Sequence, residues 1–200
     1  MARRSDHSRE EIREMALAAA EQILSEQGPG GLSARKVAKA IGYTVGTLYL
    51  VFDNLDDLIL QVNGRTLDRL HAQMVAEQSR FQDPQERLLQ LGHTYIRFAN
   101  AEPHHWTLIF ESRLPEGKGM PTWFQEKVAR MFSLVEAGLA PLAGHRSQEE
   151  IAQAARALWG GVHGICILAV TDKLGVAGVG SVQELAQALM SNYLRGFMDS

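Results

Sequence analysis

The chain has 200 residues and a single cysteine, Cys166, so an internal disulfide framework is excluded. A lone thiol suits a reducing compartment. Long apolar runs are also missing. The greasiest stretch, residues 160–170, falls short of the roughly 18 residues that a membrane-spanning helix needs. No apolar segment follows Arg3 and Arg4, so the N-terminus does not read as a secretory signal. These absences predict a cytoplasmic protein with no membrane partner. Excess positive charge is absent as well: 20 basic against 23 acidic side chains leave a net charge of −3, which argues against indiscriminate coating of nucleic acid. There is no internal repeat and no low-complexity tract.

Patterns for metal or nucleophilic chemistry are equally thin. His104 and His105 are adjacent, so their side chains diverge on a helix, and Cys166 has no partner cysteine. No metal site and no cofactor are predicted. The one nucleophile pairing within reach, Cys166 with His163, lies in an apolar segment that raises a thiol pKa, and nothing in the sequence orients the histidine. The chain is therefore not predicted to be an enzyme.

Helix starts, by contrast, are plentiful. Ser8 to Glu11, Asp83-Pro84-Gln85-Glu86, Ser147 to Glu150 and Ser181 to Glu184 fit the capping box, and apolar residues at helical spacing follow each of them. No segment alternates with the period of a strand. The spacing predicts an all-α fold of about nine helices, at 8–27, 33–41, 44–51, 54–80, 83–101, 103–110, 121–139, 147–171 and 181–198. Loops are predicted at 114–120 and 175–180. The Gly-x-x-Gly-x-Gly in the latter lacks the preceding strand that a phosphate cradle requires.

Residues 33–52 carry the most specific pattern. Two short amphipathic helices joined by a glycine-containing turn form a helix-turn-helix, which carries its second helix into the DNA major groove. Val37 and Ile41 face the core from the first helix and Ala38 is small at the crossing. Gly42 falls where the turn needs a left-handed backbone. Ser33 and Thr44 are N-caps, and Leu48 and Val51 form the buried side of the second helix. Its exposed side is then Val45, Gly46, Thr47, Tyr49 and Leu50. For phosphate positioning the sequence nominates Ser33, Arg35, Lys39, Thr44, Thr47 and Tyr49, and for close approach to base edges Val45 and Gly46. Residues 1–53 hold seven basic and seven acidic side chains, so any positive face comes from placement. Arg3 and Arg4 read as a tail.

The helix-turn-helix, the helix of about twenty residues before it, and Gly46-Thr47-Leu48-Tyr49-Leu50-Val51-Phe52 leading into a long helix resemble the TetR family of bacterial repressors over residues 8–62. Leu158-Trp159-Gly160-Gly161-Val162-His163-Gly164 resembles the Trp-His-Gly motif of one group of its C-terminal domains. The resemblance implies a homodimer with a DNA-binding domain at 1–53 and a larger helical domain at 54–200 for ligand binding and dimerisation. It differs at two points. Asp53-Asn54-Leu55-Asp56-Asp57 has no lysine where the family usually reaches a phosphate, and Leu50 stands where a polar residue or histidine is common.

In the larger domain, aromatic and histidine side chains recur, and His93, Phe98, Trp106, Phe110, Trp123, Trp159, His163 and Cys166 are the predicted ligand pocket. Trp159, His163 and Cys166 share one face of a helix. Apolar stripes of Ile151, Leu158 and Val162, and of Leu185, Leu189, Tyr193 and Phe197, predict a four-helix dimer interface. Together these features predict a ligand-responsive repressor of a palindromic double-stranded operator, released by a small, partly apolar effector. The alternative is a helical small-molecule sensor that has lost tight DNA binding.

Overall fold

The computed structural model describes residues 7–112, 119–174 and 181–199. Arg3, Arg4 and the loop residues at 114–118 and 175–180 lie outside the described residues. The described residues form nine α-helices and no strand: α1 (Arg9–Gln27), α2 (Ala34–Ala40), α3 (Val45–Leu48), α4 (Leu55–Gln78), α5 (Pro84–Ala101), α6 (Pro103–Glu111), α7 (Thr122–Leu139), α8 (Gln148–Val170) and α9 (Val182–Asp199). Two short 3-10 turns that the periodicity did not reveal occur at Pro29–Gly31 and Ala140–Leu142.

The caps act as their sequences require. The Glu11 amide donates to Ser8 Oγ at 3.2 Å and the Ser8 amide to Glu11 Oε2 at 2.6 Å, which closes a capping box on α1. Those bonds from Ser8 hold the Glu11 carboxyl below its usual range. Ser147 with Glu150 and Ser181 with Glu184 are likewise reciprocal. At Asp83 the side chain accepts from the Glu86 amide at 2.9 Å, with Pro84 at the first helical position.

The chain divides into two compact units: Met1–Thr66 with His104–Met120, and Leu67–Pro103 with Pro121–Ser200. The first is built on α1, whose Ile12, Ala16, Leu17, Ala20, Ile23 and Leu24 are buried against Val37, Leu48, Phe52, Leu58 and Val62. The division departs from a break after residue 53, for two reasons. Leu58 and Val62 of α4 complete the first core, and α6 is fastened to the same unit. Asn63 Nδ2 on α4 donates to Leu108 O (3.3 Å) and Ser112 Oγ (3.0 Å), while His104 Nδ1 pairs with Ser25 O (3.1 Å).

In the second unit α5 is the hub, packing on α7, α8 and α9. Close approach depends on glycine at three crossings. A Cβ at Gly92 would lie 2.1 Å from Met190 Sδ, one at Gly138 2.7 Å from Leu88 Cδ2, and one at Gly161 2.7 Å from Leu189 Cδ2. The second half of α4 is tied to α7 by Asp68, which accepts from Lys127 at 2.5 Å and Arg130 at 2.9 Å. Among the described helices α8 is the one long and apolar enough, by composition, to cross a membrane. Its Ile151, Ala155, Leu158, Val162 and Ile165 are buried within the protein.

Candidate functional site: the helix-turn-helix and the core cavity

The helix-turn-helix is assembled from local bonds. Ser33 Oγ accepts from the Lys36 amide at 3.3 Å, and Thr44 Oγ1 accepts from the Thr47 amide at 3.2 Å, so each predicted N-cap holds its helix. Gly42 has φ +75°, and the following Tyr43 amide closes the turn onto Ala38 O at 2.9 Å. Val37, Ala38, Leu48 and Val51 are buried, whereas Ile41 is only half-buried at the end of α2. The second helix is shorter than its pattern predicts. After Leu48 the Leu50 and Val51 amides bond three residues back, to Thr47 O and Leu48 O, and the chain tightens into turns.

Around this segment Arg35 and Lys39 are exposed on α2, and Thr44, Gly46 and Tyr49 are exposed, with Ser33, Val45 and Thr47 half-buried. Tyr49 is 44% exposed and Leu50 63%. The eight residues nominated for DNA contact therefore all retain some solvent access on α2, the turn and the recognition segment.

One residue counted in the sequence only as charge has a definite structural task. Arg13 on α1 reaches Val51 O at 2.7 Å and Gln61 Oε1 at 2.5 Å, with its guanidinium 5.1 Å from the centre of the Phe52 ring. It holds the end of the recognition segment against α1 and α4. A guanidinium four residues after Arg9, on a helix with two basic and five acidic side chains, carried no sequence signal for that role. Arg65, similarly, is engaged with Glu14 (2.9 Å) and Glu21 (3.4 Å). At the start of α4 the Asp57 carboxylate accepts from the Asp53 amide (3.0 Å) and Gln61 (2.9 Å), and Asn54 caps the helix through the Asp57 amide at 2.8 Å.

The second unit holds an apolar cavity of about 40 Å³. Leu88, Leu91, Gly92 and Tyr95 of α5 line it opposite Leu158, Trp159 and Val162 of α8, and Met74, Val135 and Met190 close it. Of the predicted pocket residues only Trp159 is in this lining. His163 stands directly behind it, its ring stacked on Trp159 (4.8 Å between centroids, 20°) and its Nδ1 2.8 Å from the Tyr95 hydroxyl. Phe132 packs edge-on to Trp159, with 5.4 Å between ring centroids. Burial lowers the His163 pKa from its ordinary value, which favours the neutral imidazole.

The remaining predicted pocket residues are dispersed. His93 Nε2 pairs with Gln187 Oε1 at 2.7 Å, Phe98 is buried core, and Trp123 is exposed on α7 beside Phe124. Trp106 and Phe110, 5.1 Å apart, belong to α6 in the first unit, because the Asn63 and His104 bonds fix that helix there. Cys166 is buried, and desolvation pushes its thiol up to about 12. A protonated, enclosed thiol is a poor nucleophile. Among the described residues no cluster of histidine, cysteine or carboxylate side chains could hold a metal.

The residues predicted for a dimer interface are largely engaged within the chain. Ile151, Leu158, Val162 and Phe197 are buried, while Leu185, Leu189 and Tyr193 are half-buried. Tyr193 Oη donates to Ala154 O at 3.0 Å. The alternate face of α8 stays exposed at Ala157, Gly160, Ile167 and Leu168.

Comparison with known proteins gives a consistent result. No curated protein matches the sequence. Solved structures match in fold over almost the whole chain: a protein of unknown function from Rhodococcus sp. RHA1 (TM-score 0.77, 20% identity, 98% of each chain); the Thermus thermophilus repressor FadR in complex with lauroyl-CoA (0.68, 17%, 92% of this chain and 94% of that one); and RolR in complex with resorcinol (0.67, 18%, 94% and 88%). Residues 88–193 match the family described as tetracyclin repressor-like, C-terminal domain, and residues 16–62 match the bacterial regulatory proteins of the tetR family. With a helix-turn-helix in one unit, a helical bundle around an apolar cavity in the other, and family matches spanning both, the chain belongs to the TetR family of bacterial transcriptional regulators.

Proposed function

We propose that this protein is a cytoplasmic transcriptional repressor that binds a palindromic operator as a homodimer and is released by a small, partly apolar molecule. The observation that carries the reading is the outer side of the helix-turn-helix, where exposed Tyr49 and Leu50 flank a capped recognition segment and Arg35 and Lys39 stand beside it. Phosphate contact falls to Ser33, Arg35, Lys39, Thr44, Thr47 and Tyr49, and base contact to Val45 and Gly46. Residues 1–53 carry seven basic and seven acidic side chains, so two heads held at a fixed spacing supply affinity that one head lacks. The exposed face of α8, with α9 beside it, is the surface that a second copy would cover.

Release requires an effector with different affinity for two spacings of the heads. Helix α4 is the physical link available: Leu58 and Val62 lie in the first core, and Met74, on the same helix, lines the cavity. Two proteins of like fold hold lauroyl-CoA and resorcinol, both partly apolar.

Selection of bound sequences from random double-stranded DNA near physiological salt tests the reading. A palindrome should emerge, and R35A should then bind it with a salt slope shallower by about one. Failure to enrich any palindrome overturns the reading. The acidic turn at Asp53, Asp56 and Asp57, which lacks a lysine, favours a second reading in that event: a sensor that binds its ligand without gripping DNA.

A further inference from the structure

We propose that Leu50 is a base-reading residue, which selects a thymine in each half of the operator through the C5-methyl group. The proposal rests on the DNA-binding reading above and adds to it the base that the segment after α3 recognises.

The chemistry of this segment restricts how it can read a base. Residues 44–52, Thr-Val-Gly-Thr-Leu-Tyr-Leu-Val-Phe, hold no arginine, lysine, asparagine, glutamine, aspartate or glutamate. Those are the side chains that bond the edges of guanine, adenine and cytosine in the major groove. The threonine hydroxyls are partly committed, because Thr44 Oγ1 accepts from the Thr47 amide at 3.2 Å and lies 3.0 Å from Thr47 Oγ1. What the segment offers in quantity is apolar surface. The matching feature of a base edge in the major groove is the thymine methyl group.

Exposure singles out Leu50. At 63% it is the most exposed large apolar side chain among the described residues, whereas Leu48, Val51 and Phe52 beside it are 8% exposed or less. Val45, at the start of α3, is half-buried. Covering Leu50 with a methyl group removes apolar surface of both partners from water. Gly46 lies about one turn earlier and carries no side chain. A Cβ there would meet just Thr44 Oγ1, at an ordinary 3.7 Å, so a base edge can come close beside Leu50.

The backbone that presents Leu50 is fixed on both sides. Its amide bonds to Thr47 O, the next two amides bond to Leu48 O, and Arg13 holds Val51 O at 2.7 Å. A side chain presented from a fixed backbone loses little freedom on contact, which sharpens the choice between bases. Phosphate contacts by Arg35 and Lys39, exposed on α2, set the register but select no base.

Deoxyuridine scanning of the operator selected from random DNA tests the proposal, since each thymine-to-uracil exchange removes one methyl group and nothing else. For the native protein one such exchange in a half-site should weaken binding about fourfold, the worth of one buried methyl group, and exchange in both half-sites about fifteenfold. L50A should bind the thymine and uracil operators equally, with an unchanged salt slope, because an apolar contact releases no counterion. L50M, which keeps an apolar reach, should retain the preference, and so should V45A. The proposal is overturned if no exchange weakens native binding, or if the preference persists in L50A. It is equally overturned if L50A binds the operator as tightly as the native protein, the behaviour of a residue that docks on another protein. A palindrome enriched alongside any of those results would leave the repressor reading standing and the Leu50 assignment refuted. Failure to enrich a palindrome would refute both.

Discussion

Substitution of Gly42 isolates the backbone requirement of the helix-turn-helix from every packing effect. The residue sits at φ +75° and an added Cβ would meet nothing within 4 Å. An alanine there causes no clash, so its whole cost is the left-handed conformation, roughly 1–2 kcal/mol for an L-residue. Asparagine tolerates that region better, so G42N should lose about half as much. For a chain of this length each kcal/mol is worth about 2–4 °C in melting temperature. Gly46 supplies the contrast. It lies inside α3 without a positive φ, and a Cβ would sit in ordinary contact, 3.7 Å from Thr44 Oγ1. G46A should therefore melt no lower than the native protein, since alanine favours helix over glycine by up to about 1 kcal/mol. It should nonetheless weaken operator binding, because the new methyl group stands on the exposed face. The assays are thermal melts by circular dichroism and titration of the selected operator. A G42A protein as stable as the native one, or a G42N less stable than G42A, would refute the reasoning.

Three further outcomes follow from the same geometry. R13A should cost about 2 kcal/mol, from the loss of charge-assisted bonds to Val51 O and Gln61. It should weaken operator binding with an unchanged salt slope, because this guanidinium is used inside the protein; a shallower slope would place Arg13 on DNA instead. Burial lowers the His163 pKa below its ordinary 6.5, so folding favours the neutral form. The stability this contributes is complete above about pH 6.5 and is lost as the pH falls toward the lower folded value, and H163Q should flatten the acid limb of a denaturation series. An identical acid limb in the variant would count against that assignment. His71, lowered by burial and then by Arg130, should add to the native acid limb in the same sense. Cys166, with its thiol near 12, should resist iodoacetamide at neutral pH and react at the ordinary rate only in denaturant; rapid native labelling would contradict its burial.

Much of the fold was legible because its signals are local. Ser8, Ser33, Thr44, Asp83, Ser147 and Ser181 all cap the helices they begin, and Gly42 takes the left-handed turn. A cap bonds an amide three residues on, so it is written into a four-residue window. Short-range exceptions have short-range causes: α3 ends early where the Leu50 and Val51 amides bond three residues back, which leaves no mark on apolar spacing.

The candidate site was legible in part. Trp159 and His163 are four apart on one helix and do stack, but their partner Tyr95 comes from α5, 68 residues away from His163. Trp106 and Phe110 share the aromatic composition of a pocket, yet α6 belongs to the first unit, through bonds from Asn63 and to Ser25 that no periodicity announces. Helical stripes have the same ambiguity: Ile151, Leu158, Val162 and Phe197 are buried, but within one chain.

By itself, then, the sequence determined the all-α class, the helix starts, the helix-turn-helix and its exposed face, since each depends on residues within a turn or two of one another. Only the tertiary structure decided which aromatic rings meet, that Arg13 holds the recognition segment, and that the cavity is small and carries Tyr95. Those outcomes depend on which helix faces cross and how closely, and contacts between residues distant in sequence leave no periodic trace along the chain.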